Sequence, residues 1–139
     1  MIVGTSAIIA ILQNEPQGPV ISWIIVNEAG LCMAAGTMIV LLTVAFSRRG
    51  ADGAALIERL VQGQGIAIAP TTAEDVRIVA EAYPLYGKGM GRHGATAAAR
   101  LNLGDCFAYA LAKRTGEPLL CVGDDFARTG VPLVPLETA

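Results

Sequence analysis

The apolar positions of this chain fall into short continuous runs separated by longer stretches with helical spacing. Met1–Val3, Leu31–Met33, Ile66–Ala69, Leu119–Val122 and Val131–Val134 are runs of three or four residues, each bounded by Gly or Pro. Apolar side chains on consecutive positions suit strands buried on both faces of a parallel sheet. The stretches between them read as helices. Thr5 and Ser6 cap a helix from about Ser6 to Gln13, ended by Glu15-Pro16. Pro19 suits the first turn of a second helix through Ile21, Trp23 and Ile24 to Glu28, with Trp23 expected on its buried face. A long uncharged helix leads to Arg48-Arg49-Gly50, whose cations suit its C-terminal dipole. Asp52 caps the next, through Leu56 and Leu60, closed by Gly63 and Gly65. Thr72 opens a helix through Val76 and Val79 to Tyr83, stopped by Pro84, and a last one runs from Leu103 to Arg114. Five strands with intervening helices predict a helix-covered parallel sheet, in one α/β domain spanning residues 1–139 without repeats or linkers.

Composition narrows the class. The chain is 53% hydrophobic and only 16% charged, so disorder is excluded in favour of a largely buried fold. A net charge of −2 projects no global positive field toward nucleic acid, and any such contact has to come from a local patch. Cys32, Cys106 and Cys121 are far apart and form no Cys-x-x-Cys pair, which fits a reduced, cytoplasmic setting. They read as small buried apolar residues. His93 is the single histidine, so histidine-rich zinc sites are excluded and a Ser-His-Asp triad would depend on it alone. No basic region precedes the apolar start, so no signal peptide is expected. Residues 30–47 carry no charge and reach the lower edge of membrane-spanning length. Ala, Gly and Thr dilute that run, which favours a buried core helix, with a small membrane protein as the alternative.

In an open parallel sheet, sites form beyond the carboxyl ends of the strands. Asp124 and Asp125 follow the fourth predicted strand directly, and Asp105 lies near the start of the helix before it. Each also has a plainer reading, as a turn or as a partner of a helix N-terminus. Gly89-Met90-Gly91-Arg92-His93-Gly94 formally matches a dinucleotide fingerprint, but a helix rather than a strand precedes it, which argues against a cofactor site. This reads instead as a glycine-rich loop. Lys88, Arg92, His93 and Arg100 could there meet phosphates, because no acid lies between Glu81 and Asp105.

Taken together, the segments resemble one family. MIV-x-TSAIIAILQNEP at the start, YGKG, RLNLGDCFAYALAKRTGEPLL and VGDDFARTG resemble the VapC-type toxins of the PIN-domain ribonucleases, end to end and in order. The resemblance implies a three-layer α/β/α fold with a five-stranded parallel sheet and a homodimer. It also implies an endoribonuclease dependent on Mg²⁺ or Mn²⁺ and neutralised by a VapB-type antitoxin. In such sites clustered carboxylates bind hard cations, and the cations activate water and stabilise charge on the scissile phosphate.

Against that pattern, acids are missing. The family's Asp-Thr-Ser reads Gly4-Thr5-Ser6 here, with Thr5 and Ser6 as supporting residues; its helical Glu falls on Val40. A further family Asp falls on Gly130. Asp105 matches the third acid, and Asp125 with Asp124 beside it matches the fourth region. The expected catalytic set is thus Asp105, Asp125 and Asp124, with Asp105 and Asp125 as metal ligands, and Mg²⁺ or Mn²⁺ bound weakly or not at all. Cleavage is expected to be severely impaired. The alternative is a non-catalytic module that still binds antitoxin or a homologous toxin.

Overall fold

The computed structural model describes residues 1–90 and 100–137, and a parallel sheet lies at its centre between two helical layers. The middle strand, β1 (Ile2–Val3), pairs Ile2 with Cys32 of β2 (Cys32–Ala34) on one side. A third strand, β3 (Ala67–Ala69), lies outside β2. On the other side of β1, Ile2 and Val3 pair with β4 (Leu119–Leu120), giving the order β3-β2-β1-β4.

The two-residue period of a strand divides its side chains between two cores. Val3, Met33 and Leu120 join Ile8, Ile21, Leu41 and Ile57 beneath α1 (Thr5–Leu12), α2 (Gly18–Asn27) and α3 (Ala35–Gly63). Ile2, Ala34, Leu119 and Cys121 join Leu101, Tyr109 and Leu111 beneath α4 (Ala73–Tyr86) and α5 (Leu103–Thr115). This is the expected α/β/α layering. Ile2, Val3, Leu119 and Leu120 are wholly buried, each contributing roughly 1.5–3 kcal/mol of apolar transfer.

Several expectations need correcting. The fifth strand is absent among the described residues: Leu133 makes only an isolated parallel bridge to Leu119. Val134 N–H bonds Leu119 O, while Pro132, without an N–H, cannot add the next bond on the N-terminal side of that bridge. The remaining strands are shorter than predicted or shifted by a residue. Thr5 is the first residue of α1 rather than its cap, and the cap position falls on Gly4. The two helices expected on either side of Gly50 are there: Gly50, with φ 63° and ψ −155°, is non-helical in a way glycine adopts readily, and the two run on across this kink within α3. Pro84 lies inside α4 because it removes one N–H near the helix end, and Gly87 N–H still reaches Tyr83 O at 2.8 Å.

Trp23 is 66% exposed, not buried. Helix α2 is apolar nearly all round, and its inward stripe is Ile21, Ile24 and Ile25, which turns Trp23 and Val26 outward. The uncharged first half of α3 is likewise only half a core helix: Gly36, Thr37 and Leu41 are buried, while Ile39 and Phe46 face out. Among the described residues no helix is long and apolar enough to cross a membrane.

One carboxylate ties α4 to α5. Asp75 closes a capping box with Thr72, and its two oxygens accept Arg114 Nε at 2.6 Å and Nη2 at 3.2 Å. Burial pushes Asp75 upward, but the Arg114 and Thr72 hydrogen bonds outweigh it and hold the carboxyl below its ordinary value. That contribution to stability is complete above the unfolded carboxyl pKa and is lost as pH falls through the lowered one. Arg114→Met strands a buried charge and is expected to cost about 2 kcal/mol in urea unfolding at pH 7. The difference from the parent chain should shrink below about pH 4.

Candidate active site

The carboxyl ends of the strands meet the start of α5, and Asp105 is set there by local hydrogen bonding. Asn102 caps α5: its Oδ1 accepts Asp105 N–H at 2.9 Å, and its own N–H donates to Asp105 Oδ2 at 3.1 Å. Thr37, buried on α3, donates its hydroxyl to Gly104 O at 3.0 Å and fixes the α5 start against α3. Asp105 therefore does serve its helix, as the plainer reading held, yet it is 6% exposed and looks into the same corner as Asp125. Asn102 and Thr37 were not singled out from sequence. The Asn-x-x-Asp spacing was a usable signal for the first, whereas the second depends on a partner 67 residues away.

Gly4 follows β1 and donates its N–H to Leu120 O at 2.9 Å, while Ser6 Oγ accepts Val122 N–H at 2.9 Å. These bonds pin the turn against the chain leaving β4. With φ −87° and ψ 165°, Gly4 has an extended conformation open to any residue. A Cβ there would lie 3.2 Å from Leu120 O and 3.6 Å from the Cβ of Cys121, close but not excluded. As the N-cap of α1 it supplies no side-chain oxygen.

Val40, on α3, reaches the same corner from the other side. A Cβ built on Gly104 would lie 3.4 Å from Val40 Cγ1 and 3.1 Å from Thr5 Oγ1. Thr5 Oγ1 is buried and has no hydrogen-bond partner among the described residues.

Asp125 is partly buried and raises the pKa of Asp105, whereas Asp124 is exposed. The Asp125 carbonyl accepts Arg100 N–H at 3.4 Å, and Lys88 N–H donates to Leu101 O at 2.9 Å. The ends of the glycine-rich segment are thereby pinned beside the site, with Lys88 and Arg100 exposed. Arg92 and His93 lie outside the described residues. Gly130 has φ 78° and open space around it, so a backbone reason for glycine exists there that Gly4 lacks.

Burial, and then the Asp125 charge, push the Asp105 carboxyl up to about 6, against the Asn102 N–H bond. Burial and the same two carboxylates push the Cys121 thiol up to about 11; burial and Asp105 do so for Cys106. Both thiols are therefore protonated and unreactive near neutral pH. Among the described residues no three His, Cys, Asp or Glu side chains lie close enough to hold a metal ion. A divalent magnesium or manganese centre takes about six oxygen ligands and is held by anionic carboxylates. Asp105 and Asp125, with no ligand atom on the side chains of Gly4 or Val40, do not fit that demand.

A family model for the PIN domain matches residues 1–132. The chain belongs to the PIN-domain family. Within it, the similarity is to VapC ribonucleases, as the motifs indicated. Ribonuclease VapC42 of Mycobacterium tuberculosis is 39% identical over 131 residues, covering 94% of this chain and 96% of that protein. Ribonuclease VapC of Mycolicibacterium smegmatis is 34% identical over 134 residues, covering 96% and 99%. The crystal structure of Mycobacterium tuberculosis VapC20, a sarcin–ricin-loop-cleaving toxin, matches in fold with a TM-score of 0.70. That match covers 96% of this chain and 97% of the other at 15% identity.

The raised pKa of Asp105 has a measurable consequence. A carboxyl whose folded pKa exceeds its unfolded one stabilises the protein at low pH, and that contribution is lost as pH rises through about 6. Asp105→Asn keeps the capping geometry without the charge. In metal-free buffer it is expected to raise stability at pH 8 by on the order of 2 kcal/mol, with the gain vanishing toward pH 4, measured by thermal unfolding across that range.

Proposed function

We propose that this chain is a VapC-type toxin scaffold whose own RNA cleavage is severely impaired, because two of the carboxylates that would assemble its metal centre are gone. One observation above all supports the reading. The φ and ψ of Gly4 are open to any residue, and a Cβ there would lie 3.6 Å from the Cβ of Cys121, whose thiol feels both Asp105 and Asp125. Val40 closes the same corner through its contact at Gly104. Asp105 and Asp125 are the remaining candidate ligands for Mg²⁺ or Mn²⁺, with Asp124 at the edge. Gly130 occupies a third acid position of the family, and its positive φ makes glycine a backbone choice as well.

The rest of the scaffold keeps what a partner would read. Lys88 and Arg100 at the roots of the glycine-rich segment, with Arg92 and His93 within it, are positioned in sequence to meet RNA phosphates. The partner protein is a VapB-type antitoxin. An apolar groove between α1 and α3, lined by Ile9, Leu12, Leu41, Val44, Leu56 and Ile57 together with Arg48 and Arg49, suits an amphipathic helix bearing a carboxylate. In this reading the chain binds antitoxin, and pairs with a copy of itself or a homologous toxin, in the cytoplasm and without processing RNA efficiently.

Restoring the acids tests the reading. Gly4→Asp and Val40→Glu together are expected to raise Mn²⁺-dependent cleavage of a structured RNA by on the order of 100-fold, in a gel assay with an EDTA control. The same pair should lower the melting temperature without metal, since like charges return to a buried corner, and added Mn²⁺ should recover the loss. Robust EDTA-sensitive cleavage by the unaltered chain, abolished by Asp105→Ala, would defeat the proposal.

A further inference from the structure

Threonines in helices satisfy their hydroxyls on the carbonyl three or four residues back. Thr43 does so on Val40 O at 2.8 Å, and Thr115 on Leu111 O at 2.7 Å. Thr5 cannot, because it opens α1 and has no turn of helix behind it. Its Oγ1 is the one buried side-chain oxygen or nitrogen without a partner among the described residues. Asn102 Oδ1 accepts Asp105 N–H and Gly104 O accepts the Thr37 hydroxyl, and neither is within hydrogen-bonding geometry of Thr5 Oγ1.

This hydroxyl and the side chain of Val40 both flank Gly104. Thr5 Oγ1, Val40 Cγ1 and Asn102 Oδ1 crowd one point above Gly104, at 3.1, 3.4 and 3.5 Å from where a Cβ would sit. That crowding makes a side chain at residue 104 tight, and it sets Thr5 Oγ1 and Val40 Cγ1 on one side of Gly104, where a side chain longer than valine at position 40 can extend toward the hydroxyl. A buried hydroxyl left unpaired is a standing destabilisation of the fold. A sequence under no constraint at this site would relieve it with an apolar isostere of threonine.

We propose that Thr5 is a positioning residue for the side chain at position 40: its hydroxyl is placed to donate to an oxygen there, and Val40 has left it without an acceptor. This deepens the reading that position 40 is a vacated acid, and rests on it. It adds a direction, since the hydroxyl would turn a carboxylate at 40 toward the α5 start and Asp105. It also makes the two vacancies unequal: loss of the acid at 40 leaves an unmatched group behind, whereas Gly4 lies beside groups that are already satisfied.

The test is a mutant cycle read by thermal unfolding in EDTA, so that no bound ion or activity enters. Thr5→Val in the present chain should raise the melting temperature by roughly 3 °C, because an unpaired buried hydroxyl is removed without a change of shape. In a Val40→Gln background, which restores an acceptor without charge, the same substitution should lower it by a similar amount. Thr5→Ser in that background should retain most of the stability. Val40→Gln alone should also show a slowly exchanging hydroxyl proton by NMR that Thr5→Val removes. If Val40→Gln does not fold, Val40→Asn, shorter than glutamine but with an amide oxygen beyond the reach of valine, supplies the acceptor instead. An equal effect of Thr5→Val in both backgrounds would overturn the inference. Recovery of cleavage by Gly4→Asp with Val40→Glu is independent of this cycle, so additive stabilities with restored cleavage would sink the role of Thr5 alone. Coupled stabilities without cleavage would sink the wider reading instead.

Discussion

The parallel pairing of β1 with β2 on one side and β4 on the other is the constraint on which the rest of this molecule depends. Ile2 and Val3 are fully buried on opposite faces, so any slip in register would exchange the two cores. With that register held, the residues leaving the strands arrive at one edge of the sheet: Gly4 from β1, the α3 start from β2, and Cys121 to Asp125 from β4. Helix α5 returns to the same edge with Asp105 in its first turn. The site is thus a product of topology, and its emptiness of charge is a property of a few side chains.

Electrostatics at that edge explains why those side chains matter. Even two carboxylates there are enough for burial and mutual repulsion to move Asp105 to about 6. A third and fourth acid would add repulsion that only a bound cation relieves, so an intact centre is less stable without its metal. In the proposed reading, Gly4 and Val40 stand in place of two acids, an exchange that would remove much of that repulsion together with most of the affinity for a divalent ion. It would favour folding over catalysis, and the hydroxyl of Thr5, unpaired among the described residues, would be its trace.

Much of this was legible in the sequence. Apolar runs bounded by Gly and Pro located the strands that pair, and LNLGDCFAYALA marked α5 and Asp105. The Val131–Val134 run misled because apolar character alone does not reveal that Pro132 cannot add the next ladder bond. Trp23 misled because a helix apolar on every side does not declare its buried face. At the site, the vacated acid positions are proposed from resemblance, as substitutions within intact motifs. What could not be read were long-range partnerships: the Thr37 bond to Gly104, and the absence of any partner for Thr5, exist only once α1, α3 and α5 are brought together. The ordinary φ and ψ of Gly4 likewise became visible only in three dimensions, and they leave the 3.2 Å approach of a Cβ to Leu120 O as the one local constraint on its side chain.

Calorimetric titration of Mn²⁺ into the metal-free chain at pH 7.5 addresses the central claim most directly. The account predicts no saturable binding tighter than about 1 mM, because two carboxylates without their opposing pair hold a divalent ion mainly through its water. Binding of one or two ions in the micromolar range, lost in Asp105→Asn, would contradict it.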